Sequence, residues 1–225
     1  MRLLSTKIVE PLFIDRLVQN GCSVVEYPFI KIESIATEVI SLNKYLIFTS
    51  QNGVRIAFND PKIKIKIALK KCFCVGEKTK SLLEENGLKV IKMSQNASNL
   101  AHFIAKNHKN VSFSFFCGSK RRPELESVLK NHKIALKIHE VYNTLHTSKH
   151  FETVFDGILF FSPSSVLSYQ ESNAWDPLTH GFCIGTSTAE KLKEITSNYS
   201  IAKSPNEKQL LLSIHRYYTQ HYAQK

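Results

Sequence analysis

Two stretches of this chain are versions of one pattern, and that repetition restricts the fold more than any other feature. The first copy is Leu46-Ile47-Phe48-Thr49-Ser50-Gln51-Asn52-Gly53-Val54, followed by Phe73-Cys74-Val75-Gly76-Glu77-Lys78-Thr79. The second is Ile158-Leu159-Phe160-Phe161-Ser162-Pro163-Ser164-Ser165-Val166, followed by Phe182-Cys183-Ile184-Gly185-Thr186-Ser187-Thr188. Ser50 precedes Gly76 by 26 positions and Ser162 precedes Gly185 by 23. Each copy spells strand, polar turn, helix, strand, glycine turn, helix, which predicts two lobes of similar α/β architecture.

All four turns stand where an apolar run of strand length hands over to a helix. Backbone N–H groups are unpaired there and the helix dipole is positive, so such turns hold anions. Ser, Thr and Gly at these positions also cap and turn helices in any α/β protein. Both readings stand for a single turn; the repetition favours a ligand carrying several negative groups.

A chain of 225 residues is long enough for two small domains with cores of their own. With 43% apolar and 22% charged residues, and no apolar run near the ~20 residues of a membrane span, a soluble globular protein without a membrane segment is expected. The N-terminus reads as a first strand rather than a signal peptide, which implies the cytoplasm. Five cysteines occur without CxxC spacing, and Cys72, Cys74, Cys117 and Cys183 sit in apolar runs as reduced core residues. Nine histidines show no paired-ligand spacing, so no metal site is inferred. The formal charge of +11 suggests either a nucleic acid or an acidic small molecule as partner. No arginine-rich arm, RNP motif or zinc finger accompanies it, so a generally basic surface is the favoured reading of the charge.

Along the chain, Leu3-Leu4-Ser5 is a short strand. Pro11 opens a helix with Phe13, Ile14, Leu17 and Val18 on one face, and Gly21 ends it. Ser23 to Tyr27 is a strand, and Pro28 to Glu33 stays extended as a linker leaving the first lobe. Lys62 to Lys71 alternates lysine with isoleucine, as an exposed edge strand or a basic loop would, and period alone does not decide between them. Val111 to Cys117 is a buried strand ending at Gly118, and the helix after it has Arg121 and Arg122 near its entry and Pro123 in its first turn. Arginines there point toward an anion or a carboxylate. Ile134 to Thr144 is extended again as the return linker, and Pro205 opens a long final helix. The expected division is a discontinuous first α/β lobe, residues 1–33 and 143–225, with a second α/β lobe, 34–142, inserted into it.

Taken in order, Ile47-Phe48-Thr49-Ser50 with Asn52, Val75-Gly76 with Thr79, Gly118 with Arg122 and Leu125, Val141-Tyr142 with Thr144, Phe161-Ser162-Pro163-Ser164, and Ile184-Gly185 with Thr188 resemble the uroporphyrinogen-III synthase family over the whole chain. Ser5-Thr6-Lys7 stands where that family commonly has a Thr-Arg pair. The resemblance implies two lobes, each a parallel sheet flanked by helices, joined by a two-stranded linker, with the active site in the cleft between them. It implies a monomeric enzyme of haem biosynthesis that needs no cofactor and binds neither nucleic acid nor membrane. Its reaction would be cyclisation of hydroxymethylbilane to uroporphyrinogen III with loss of water and inversion of ring D. Tyr142 matches the family tyrosine and would assist departure of the ring A hydroxyl, although a tyrosine that only packs the linker reads the same way. Ser50, Asn52, Gly76, Thr79, Arg122, Ser162, Ser164, Gly185 and Thr188 would bind the substrate, which has eight carboxylates. The alternative is a non-enzymatic bilobal protein that captures an acidic small molecule.

Overall fold

The computed structural model describes residues Met1–His221. The chain divides into two compact units, Met1–Lys31 with Leu145–Lys225, and Ile32–Thr144. The chain passes between them within β3 (Ile30–Ser34) and again within β8 (Leu136–His146).

The discontinuous unit is built on a five-stranded sheet of β1 (Arg2–Ser5), β2 (Ser23–Glu26), β9 (Gly157–Phe160), β10 (His180–Cys183) and β11 (Tyr199–Ile201). All neighbours pair in parallel, in the order β11-β10-β9-β1-β2. Parallel strands need crossovers, and helices covering both faces make the strands continuously apolar. Leu3, Leu159 and Phe182 therefore pack on one face with Phe13 and Leu17 of α1 (Pro11–Gln19) and Leu210 and Ile214 of α9 (Glu207–His221). Leu4, Ile158 and Phe160 pack on the other with Val166 of α7 (Pro163–Gln170) and Leu192 of α8 (Thr186–Leu192). Val18, expected on the apolar face of α1, is 56% exposed.

The contiguous unit carries a six-stranded sheet in the order β3-β8-β7-β4-β5-β6, with β4 (Tyr45–Phe48), β5 (Lys71–Val75), β6 (Lys89–Ser94) and β7 (Phe113–Gly118). From β8 to β6 every neighbouring pair is parallel. The alternation of side chains splits its core in two. Leu46, Phe48, Cys72, Cys74 and Phe116 face α2 (Gln51–Asn59), α3 (Pro61–Ile67) and α4 (Glu77–Glu85), whereas Ile47, Phe73 and Phe115 face α5 (Ala97–Asn107) and α6 (Glu124–Asn131).

Two further expectations are corrected. Lys62 to Lys71 is neither edge strand nor loop. Pro61–Ile67 is helical, and the strand that follows starts only at Lys71. Asp60 decides this, because its side chain accepts the N–H groups of Lys62 and Ile63 as an N-cap and Pro61 is pre-set for the first turn. Ile63 and Ile67, four residues apart, enter the core, and Ile65 between them is 79% exposed. The final helix begins at Glu207 rather than at Pro205, capped by Asn206, whose side chain accepts the N–H of Gln209 at 2.9 Å.

Candidate active site

In each sheet the neighbours that leave in opposite chain directions mark a switch point, and the crevice at the carboxyl ends of those strands is where open parallel sheets take their ligands. In the contiguous unit the switch falls between β4 and β7, which puts Ser50 beside Gly118. In the discontinuous unit it falls between β1 and β9, which puts Ser162 beside Ser5-Thr6-Lys7. The two repeated serines thus occupy corresponding places in two differently ordered sheets.

Within the contiguous unit, Ser50 is the N-cap of α2, and its hydroxyl accepts the N–H of Asn52 at 3.0 Å. Asn52 lines a cavity of about 860 Å³ together with Arg55, Asn59 and Lys62. On the adjacent strand end, Gly76 has φ +84 and ψ 143, a conformation that only glycine adopts without strain. It starts α4 with no side-chain cap, and Thr79, buried in the first turn, stands over it with Oγ1 4.0 Å from where a Cβ would be. The serine turn satisfies its own amide, whereas the glycine turn provides no side-chain acceptor. The glycine turn therefore leaves one more helix-terminal amide to a ligand than the serine turn does.

Tyr142 is half-buried on β8, paired in register with Gly118. The register between β7 and β8 steps by one residue here. Cys117 faces Glu140 and Gly118 faces Tyr142, so Val141 is an extra residue, fully buried in the core. Such a bulge re-aims the side chain that follows it. The ring consequently lies against Gly118, and the Ser50 side chain and the Gly118 backbone both act on the phenol to lower its pKa. Burial pushes its pKa above the ordinary 10.0, and the hydrogen bond with Ser50 partly opposes that rise. The hydroxyl therefore keeps its proton throughout the neutral range and serves as a donor.

The two arginines after Gly118 differ. Arg121 is held on Glu126 and Glu140, and the hydrogen bond with Glu126 leads in raising its pKa. Arg122, the one singled out from the sequence, is exposed and lies 3.8 Å from Glu124. The pattern of an arginine pair does not reveal which one is anchored; Glu126, five residues on and on the same side of the helix entry, is the local signal that does.

In the discontinuous unit Ser162 caps α7, accepting the N–H of Ser165 at 3.1 Å, and Ser164 is half-buried in the first turn. Gly185 starts α8 without a side-chain cap, and Thr188 is buried behind it. Gly185 has φ −174, ordinary extended backbone. Thr6 is turned inward, with Oγ1 donating to the carbonyl of Leu159 at 2.7 Å. Lys7 stands 4.5 Å above the ring of Phe161 and reaches Glu207 at 2.8 Å. Sequence reasoning misses the ion pair, since Glu207 is two hundred residues away in chain order.

Among the described residues no helix is long and apolar enough to cross a membrane, and no group of three or more His, Cys, Asp or Glu side chains forms a metal-binding cluster.

The family model for uroporphyrinogen-III synthase HemD matches residues 13–211. Among solved structures the chain is similar to uroporphyrinogen-III synthetase from Helicobacter pylori, with 19% identity, 96% of this chain and 100% of that chain covered, and a TM-score of 0.72. It is also similar to a mutant uroporphyrinogen III synthase from the extremely thermophilic bacterium Thermus thermophilus, with 15% identity, 98% of this chain and 100% of that chain covered, and a TM-score of 0.70. At these identities the structures speak for the fold, a pair of α/β units. No curated protein matches the sequence. The family match spans most of the sequence, and on that ground the chain belongs to the uroporphyrinogen-III synthase family.

Proposed function

We propose that Tyr142, with Ser50 and Gly118 around its hydroxyl, carries the step that starts the family's reaction, loss of hydroxide from ring A of hydroxymethylbilane. The family cyclises this linear tetrapyrrole to uroporphyrinogen III in haem biosynthesis. Departure of the hydroxyl leaves an azafulvene, and attack through the substituted carbon of ring D gives a spiro intermediate. The original bond from ring D to its bridging carbon then breaks, and that bridging carbon closes onto the free carbon of ring D, which inverts the ring. The proton on that free carbon leaves, so that hydroxide and proton together make the one water lost. The uncatalysed chain closes without inversion, so the protein's task is to orient the ends as well as to ease the departure.

One observation supports the assignment most directly: the half-buried Tyr142 ring is seated against Gly118 beside the switch point of a parallel sheet, with Ser50 acting on its hydroxyl. A neutral donor there stabilises charge growing on the leaving oxygen. The uncapped first turns at Gly76 with Thr79, and at Gly185 with Thr188, suit substrate carboxylates, each contributing ~0.3–1 kcal/mol. Ser50, Asn52, Ser162, Ser164 and Arg122 complete the binding set in this reading. The enzyme is further taken to act as a cytoplasmic monomer without metal or organic cofactor. A reducing compartment suits five cysteines that are all free and buried.

The test is to supply hydroxymethylbilane and resolve the oxidised products by HPLC. The type III isomer should dominate with no cofactor added; type I alone, at the spontaneous rate, would overturn the activity. Tyr142→Phe should lower turnover about tenfold or more, ~1.4 kcal/mol of barrier. Product affinity should stay nearly unchanged. A fully active Tyr142→Phe would remove the phenol from the mechanism.

A further inference from the structure

Arg121 follows Gly118 by three residues and is not one of the residues expected to touch substrate. Its guanidinium joins three pieces of chain. Nη1 is 3.5 Å from the carbonyl oxygen of Gly118 and 2.5 Å from Glu140 Oε1, and the rest of the fork grips the Glu126 carboxylate at the entry to α6. Glu140 is the last residue of β8 before the extra Val141, and Gly118 is the partner of Tyr142 immediately after it. Arg121 therefore spans the bulge from both sides. Two further bonds close the same turn: the N–H of Ser119 donates to the carbonyl of Tyr142 at 3.0 Å, and the Ser119 hydroxyl donates to Asn143 Oδ1 at 2.5 Å.

We propose that Arg121 is a positioning residue for departure of the ring A hydroxyl: by bridging the Gly118 carbonyl and the Glu140 carboxylate it fixes the bulge that aims Tyr142 at Ser50. This rests on the role given to Tyr142 above. A planar, five-donor guanidinium suits the task, because it can engage two carboxylates and a carbonyl at fixed angles, which a lysine ammonium on a flexible stem does not reproduce. Its side chain is only 20% exposed, and with both partner carboxylates already engaged it is committed to the clamp rather than to substrate. The raised pKa of the guanidinium, caused first by the bond with Glu126, accords with that commitment.

The experiment labels the chain with tyrosine carrying ¹³C at Cζ and identifies the Tyr142 resonance by its loss in Tyr142→Phe. In Arg121→Lys the resonance should shift and its titration should move down toward 10.0 as the ring leaves its buried seat. Turnover should fall about tenfold, with KM within about twofold, since geometry is lost and binding is not. Glu140→Gln, a neutral isostere that keeps the fold readable if Arg121→Lys does not fold, should move the resonance in the same direction. The double variant should be no worse than Arg121→Lys alone, because both act through one clamp. A Tyr142 resonance unmoved in both single variants overturns the proposal, and so does a loss of turnover accompanied by a lower unfolding midpoint and an unchanged resonance. The two failures are separable. A fully active Tyr142→Phe removes the catalytic phenol and this inference with it, whereas a tyrosine that needs its hydroxyl but ignores Arg121 overturns this inference alone.

Discussion

The ring of Tyr142 rests so closely on the Cα of Gly118 that a methyl group added there would lie 2.5 Å from Cε2 and 2.7 Å from Cζ. No real Cβ contact is that short, and the obstacle is a half-buried ring on a strand rather than the free end of a flexible chain. Gly118→Ala should therefore displace Tyr142 and lower turnover at least as much as Tyr142→Phe. Overpacking should also cost about 1–3 kcal/mol of stability. Product-forming rates and urea unfolding on the same preparation check both. An unaltered rate would mean that the seat of the ring does not matter to the reaction.

The two glycine turns, alike in sequence, respond differently to the same substitution. Gly76 has φ +84, so Gly76→Ala should lose roughly 1–3 kcal/mol through backbone strain. Gly185 has φ −174, and an added Cβ would meet Pro205 at 3.7 Å, an ordinary contact. Gly185→Ala should fold with near-native stability. Urea midpoints of the two variants decide; equal losses would contradict the backbone angles.

The Tyr142 hydroxyl is pushed above 10.0 by burial. The protonated form is the donor, so the rate should show no decline attributable to this group until the pH passes above 10.0. The same rise has a sign for stability. The folded protein holds the proton more tightly than the unfolded chain does, so the contribution is complete below 10.0 and is lost as pH rises through the folded value. Tyr142→Phe should remove both alkaline limbs, measured as kcat and as unfolding free energy against pH.

His139 titrates in the opposite direction. It is buried, stacked on Phe116 at 4.9 Å between ring centres, and its Nε2 finds no hydrogen-bond partner among the described residues. Burial first, and then Lys137, hold its pKa below the ordinary 6.5. The unfolded chain takes up a proton that the folded one resists, so stability is retained above 6.5 and lost as pH falls. His139→Phe should stabilise the protein relative to the native sequence by an amount that grows between about pH 7 and about pH 5. An offset independent of pH would place the cost elsewhere.

The repeated Ser and Gly turns are legible because capping needs those residue types at strand ends, whatever surrounds them. The alternation of Leu46, Ile47 and Phe48 is equally readable, since both faces of a covered parallel sheet demand apolar residues. Lys62 to Lys71 misleads because isoleucine at every second position contains isoleucine at every fourth, which satisfies strand and helix alike. Asp60-Pro61 carries the missing information. The bulge at Val141 leaves no trace in the sequence: it shifts pairing by one residue without changing composition, and it alone brings Tyr142 beside Gly118. Half of the Arg121 anchor is legible, since Glu126 lies five residues on, but the other half is not, because Glu140 arrives from another strand.

Translation meets the discontinuous sheet in an awkward order. β1 is flanked by β2, which follows it closely, and by β9, with Ser5 opposite Leu159. At ~5–20 residues per second, about 8–30 s separate the emergence of those two partners from the ribosome. Meanwhile Ile32–Thr144, a contiguous unit with two core layers of its own, is completely synthesised and free to fold. Leu3 and Leu4, fully buried in the finished protein, wait beside it without half of their sheet. The inserted unit is thus complete in the chain before its host is, and the first strand has only one of its two neighbours until Phe160 has been made.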